Sequence, residues 1–169
     1  SERGVEGVIE LATRAKLPHL VGIAAACAIS DLPVLGQLLE KGLGSELLQP
    51  FSVALSAEAA ARYADQWREQ VLQRAGEAAW DADRLVTVLL RWPEPETWSV
   101  VAKLGQDVEE RYWARKSIWP KVPSADALVF AVQKYMGAGR AGSTIEAFGE
   151  QLVELPPALL FKLIDQALE

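Results

Sequence analysis

The chain has 169 residues, 50% hydrophobic and 24% charged, with 17 basic against 23 acidic side chains and a net charge of −6. That leaves room for one domain with its own core, or a short run of helical repeats, and excludes a disordered chain. A single cysteine, Cys27, and a single histidine, His19, exclude an internal disulfide and a multi-cysteine zinc site, while the acidic balance disfavours nucleic acid and anionic membrane.

Composition points to helix before any pattern is sought. There are 26 alanines and 23 leucines against 15 valines, 6 isoleucines and 4 threonines, so the best helix formers outnumber the β-branched residues that strands favour. The first helix is expected over Val5 to Ala15. Leu17-Pro18 breaks it, because proline disfavours helical geometry in its predecessor and suits a first helical turn. The second helix, Pro18 to Ile29, lies in a charge-free stretch from Leu17 to Ser30. That stretch is too short to span a bilayer, and it is apolar nearly all round, which predicts a position in the middle of the packing. Cys27, among alanines, reads as a small buried residue and not a nucleophile.

Ser30 is expected to cap a third helix ending at Gly42, and Ser56 to cap a helix over Ala57 to Ala75. In the latter, Ala60, Tyr63, Ala64, Trp67, Val71 and Leu72 share one stripe. Asp81 or Asp83 starts the next helix, which runs to Trp92. Helices over Pro95 to Leu104, Asp107 to Lys116, Ala125 to Met136 (capped by Ser124), Ser143 to Val153 and Pro156 to Leu168 complete the chain. The fold class is therefore all-α: about ten helices in antiparallel hairpins, an irregular helical-repeat, α-solenoid-like array. A single domain over 1–169 is expected, with sub-boundaries near 42–56 and 117–124. The final helix is more apolar than a capping helix should be, which predicts a cut repeat or self-association through it. Tryptophans 67, 80, 92, 98 and 113 are expected to be mostly buried between helices.

Gly137-Ala138-Gly139-Arg140-Ala141-Gly142 spells GxGxxG. A dinucleotide fold needs those glycines after a strand. Here they follow a helical segment and read as a helix–helix turn. Asp107, Glu109 and Glu110 could imitate a carboxylate site, but acids in a first helical turn are accounted for by the helix dipole. His19 has no second ligand nearby. No catalytic residue, metal or cofactor is expected.

From Arg111 to Lys121, four positive charges and three aromatic rings fall in eleven residues with no acid among them. Arginine and aromatic rings are what protein interfaces enrich. Arg111, Trp113, Arg115, Lys116, Trp119 and Lys121 are therefore the candidate interaction surface, with Tyr112 or Trp113 free to anchor the core while the cations face outward.

The order Trp92-Pro93, Glu96-Thr97-Trp98, Leu104-Gly105, Val108-Glu109, Tyr112-Trp113 and Gly139-Arg140, with Leu20-Val21-Gly22 earlier, resembles the helical-repeat region of large bacterial multidomain proteins akin to signalling and defence ATPases of the STAND class. The chain has no GxxxxGK[ST] loop, and Ala141 stands where many such proteins have proline. The resemblance implies a cytoplasmic helical module of a longer protein that recognises a protein or another domain of its parent chain. A non-catalytic interaction scaffold is the leading expectation. A regulatory or oligomerisation domain of a signalling ATPase is the alternative, and a hydrolase with an unrecognised site a third.

Overall fold

A computed structural model describes residues 2–118 and 122–169. Among them the chain is all-α, with ten α-helices, two 3₁₀ helices and no strand. No helix among the described residues is long and apolar enough to cross a membrane. The chain divides into two compact units, residues 1–97 and 98–169.

The first unit holds α1 (Glu2–Arg14), α2 (Pro18–Ala28), α3 (Leu32–Leu43), a 3₁₀ helix (Glu46–Leu48), α4 (Gln49–Glu77) and α5 (Ala82–Leu89). Its core is a layer of Leu35, Leu38, Leu39, Phe51, Leu55, Trp67, Val71, Val86, Leu89 and Trp92, all buried. The cap of α3 is Asp31 and not Ser30: its Oδ1 accepts from the Val34 N–H at 3.2 Å. Asp81 caps α5 in the same way, accepting from the Arg84 N–H at 2.8 Å.

The largest departure from the sequence reading is α4. It begins at Gln49, with Pro50 in its first turn, and Ser56 sits in its interior instead of capping it. The helix kinks at Ala64, whose φ of 44° and ψ of −119° are not helical. The kink has a purpose in the packing. In a straight helix Ser56 and Trp67 stand roughly 16 Å apart along the axis, farther than an indole and a hydroxyl can reach. Bent back at Ala64, the helix lets the Trp67 Nε1–H donate to Ser56 Oγ at 3.1 Å. The Trp92 Nε1–H donates to the same oxygen at 2.9 Å. All three residues are buried, so both indoles are satisfied where water cannot reach them.

At its far end α4 runs on past Ala75, through Gly76 to Glu77. Its end is a Schellman turn: the Trp80 N–H donates to Ala75 O at 2.9 Å and the Ala79 N–H to Gly76 O at 3.3 Å. That turn places its C′ residue in left-handed geometry, and here the residue is Ala79, with φ 47°. The same turn closes α8 (Ala125–Gly137), with Arg140 N–H to Tyr135 O and Gly139 N–H to Met136 O, both at 2.9 Å. There the left-handed residue is Gly139, with φ 71°. Since an alanine Cβ in that conformation costs about 1–2 kcal/mol, Ala79→Gly is expected to stabilise the first unit by about 1 kcal/mol. Urea unfolding with an unshifted or lower midpoint would contradict this.

The second unit begins at Trp98, within α6 (Glu96–Lys103), and continues through α7 (Gln106–Arg115), α8, α9 (Ala141–Phe148), a 3₁₀ helix (Gly149–Glu154) and α10 (Pro157–Leu168). Ser124 caps α8 as its sequence position predicts, accepting from the Ala127 N–H at 3.2 Å. The GxGxxG run is the α8–α9 turn, with helix on both sides. Packing pairs α7 with α8, α8 with α9, and α10 with both α8 and α9. Of the five tryptophans expected to be mostly buried, 67, 92, 98 and 113 are buried, and Trp80 is half-buried under the guanidinium of Arg84.

Candidate interaction surfaces

The basic and aromatic segment builds a core before it builds a surface. Trp113 is buried and forms the hub of a ring cluster. Its ring centroid lies 5.5 Å from Trp98, 5.4 Å from Tyr112, 5.9 Å from Phe130 and 5.1 Å from Tyr135, mostly edge to face. Such offset and T-shaped contacts suit the ring quadrupole and fix the relative placement of α6, α7 and α8 within the unit. Lys116 is buried as well, with Nζ 5.8 Å from the centre of the Tyr112 ring. Burial removes Trp113 and Lys116 from any docking surface of the folded unit. Arg111 and Arg115 are exposed, and Arg111 is paired to Asp107 at 2.8 Å. Trp119 and Lys121 lie outside the described residues.

Arg140, which opens α9, explains the Gly-Arg pair structurally. Its Nη1 donates to the carbonyls of Trp113, at 3.0 Å, and of Lys116, while its guanidinium covers the Tyr135 ring at 5.3 Å. These carbonyls belong to the last turn of α7, where helix acceptors have no partner of their own and where positive charge complements the dipole. Glu109 forms an ion pair with Lys134 at 2.7 Å, and Glu110 accepts from the Gln106 amide at 2.6 Å. Both acids, with Trp113 and Lys134, line a recess of about 460 Å³ between α7 and α8.

The exposed apolar surface lies elsewhere. Along α10 only Leu163 is buried, while Phe161 is 67%, Ile164 39% and Leu168 82% exposed. Three and seven residues apart from Phe161, these side chains form one stripe on the open side of the helix. Beside α10, against α8, is a cleft of about 790 Å³ lined by Gln133, Met136, Leu159, Lys162 and Asp165. At its edge the Gln166 amide donates to Met136 O at 3.1 Å.

A second apolar face belongs to α2, and here the sequence reading is corrected. One side of α2, Gly22, Ala25 and Ala26, is buried against α4. The other side, with His19, Leu20, Ile23, Ala24, Cys27 and Ala28, is exposed. Close seating on α4 uses only the smallest residues, so the larger ones are left outside. Cys27 is therefore exposed and not buried. Its thiol lies 3.6 Å from Glu58 Oε1. The neighbouring Cys27 thiol, with the Glu58 charge, raises the pKa of Arg62, an already permanent cation.

No family model matches the chain, and no curated protein or solved structure is similar enough to count as a relative.

Proposed function

We propose that the chain is a non-catalytic protein-interaction module of helical-repeat type, working in the cytoplasm as part of a larger protein, and that α10 presents its docking face. The observation that carries this is the stripe of Phe161, Ile164 and Leu168, left open on a helix that buries only Leu163. Contiguous apolar surface on a folded unit marks a contact site, because leaving it in water is unfavourable by about 25 cal/mol per Å². The occupant is another protein or another segment of the parent chain. The resemblance to large signalling proteins supports this reading, since it implies a helical module that recognises a protein partner.

The test is proximity labelling by the full-length protein in its own cells, comparing wild type with the F161S/L168S double variant. The variant is expected to lose a defined set of neighbours while its thermal unfolding stays where it was, since both side chains already face solvent. An unchanged set of neighbours would remove α10 as the docking face.

A further inference from the structure

We propose that α2 is a homodimer interface, pairing antiparallel with α2 of a second copy about a two-fold axis that passes between Ile23 and Ala24. This surface belongs to the first unit, and the inference stands whether or not α10 binds a partner.

The exposed stripe of α2 consists of Leu20, Ile23, Ala24 and Cys27. Lys16 and Asp31, both exposed, lie just beyond its two ends. Within α2 the four positions are spaced by three, one and three, and Lys16 and Asp31 lie four residues beyond them in the non-helical segments at either end, so the pattern is symmetric about the middle of the helix. An isologous contact demands that property, since each residue must meet its mirror position on the other copy.

The chemistry at the mirrored positions is complementary. Leu20 falls opposite Cys27 of the second copy and Ile23 opposite Ala24, so a large side chain always meets a small one. That is how two helix surfaces interdigitate without a void. Lys16, just before the start of α2, comes near Asp31, just after the end of the second copy's α2, twice per dimer. Asp31 accepts the Val34 N–H through Oδ1, which leaves its negative charge in place. The opposite pairing, with α2 helices parallel, would set lysine against lysine and aspartate against aspartate. Charge therefore selects the antiparallel arrangement. Between these ends α2 itself carries no charged side chain, and the nearest charges beside the stripe are Glu58 and Arg62 of α4, next to Cys27.

Two measurements on the 169-residue chain test this. Sedimentation at increasing concentration is expected to show the 18.4 kDa monomer converting to a dimer. I23E should weaken that conversion by about tenfold or more, while leaving the thermal midpoint nearly unchanged at dilutions where both chains are monomeric, because Ile23 is 38% exposed in the monomer. Register is tested by cross-linking. Cys27 of one copy stands about seven residues, roughly 10 Å, from Cys27 of the other along the pair, too far for a disulfide. The L20C variant places its new thiol opposite Cys27 and should give a reducible covalent dimer under mild oxidation. The L20C/C27S variant should not.

A chain that stays monomeric at all concentrations overturns the proposal and leaves the α2 face to some other partner. A dimer indifferent to I23E places the contact elsewhere, α10 included. Equal cross-linking of L20C and L20C/C27S overturns the register.

Discussion

Ser56→Ala is expected to destabilise the first unit by about 3 kcal/mol, far more than the loss of one exposed hydroxyl. Ser56 Oγ is the acceptor for two indole N–H groups, those of Trp67 at 3.1 Å and Trp92 at 2.9 Å. Alanine would leave both donors buried and unpaired, each worth about 1–3 kcal/mol of desolvation penalty. The effect should go beyond the two bonds. Ala64 holds a backbone conformation that suits glycine, and such a conformation persists only where its surroundings over-determine it. The bond from Trp67 is one of the contacts that hold the bend. Urea unfolding followed by tryptophan fluorescence reads this directly, with a lowered midpoint and an altered native spectrum from the two reporting rings. Ser52, one turn earlier and equally buried, supplies the contrast: its Oγ has no hydrogen-bond partner, so Ser52→Ala should be close to neutral. Equal losses from the two substitutions would show that the shared acceptor has no special weight.

The fold class was legible because it rests on composition and punctuation. Alanine and leucine excess, proline at first turns and Ser124 and Asp81 at caps all act locally, and the structure keeps them. What failed to show in sequence depended on tertiary partners. Ser56 has the residue type and spacing of a cap, and only the return of Trp67 and the arrival of Trp92 reveal it as a buried acceptor. The bend at Ala64 carries no glycine or proline to announce it. The charge-free run of α2 reads as a buried helix by hydropathy alone, but a helix seated by its glycine and alanines on one neighbour exposes its larger side chains. The basic and aromatic segment misled in the opposite direction. Arginine and rings are enriched in interfaces and equally in cores that need a guanidinium to close a helix end. The sequence leaves open whether Trp113 anchors the core or faces outward, because its burial depends on Trp98, Phe130 and Tyr135, which come from other helices, while Lys116, expected to face outward, folds over Tyr112. The apolar excess of the last helix was visible in sequence, and the structure leaves Phe161, Ile164 and Leu168 of it exposed.

Gly22→Ala should be the most damaging single methyl group in the first unit, with an expected loss of about 3 kcal/mol. A Cβ built on Gly22 falls on the carbonyl oxygen of Phe51, with the Leu55 nitrogen 3.0 Å and the Phe51 carbonyl carbon 3.1 Å away. All three atoms are backbone of α4, so no side chain can swing aside. The helices would have to separate along their whole contact, which opens voids beside Ala25, Ala26 and Leu55. Overpacking of this kind costs about 1–3 kcal/mol where side chains can adapt, and here the neighbour is rigid. Gly36 offers the flexible case: the atoms nearest its Cβ would all belong to the Arg74 side chain, which can shift at the expense of its 3.1 Å ion pair with Glu40. Gly76 offers the open case, since a Cβ there meets nothing within 4 Å. Gly76→Ala should therefore stabilise α4 by up to about 1 kcal/mol through helix propensity alone. The expected order of urea midpoints is Gly76→Ala highest, Gly36→Ala intermediate and Gly22→Ala lowest. Because α2 is held on α4 through Gly22, the same substitution should also move the outer stripe of Leu20, Ile23, Ala24 and Cys27. A Gly22→Ala variant with wild-type stability would mean that α2 is not seated on α4 through this glycine, and the placement of its exposed face would fall with it.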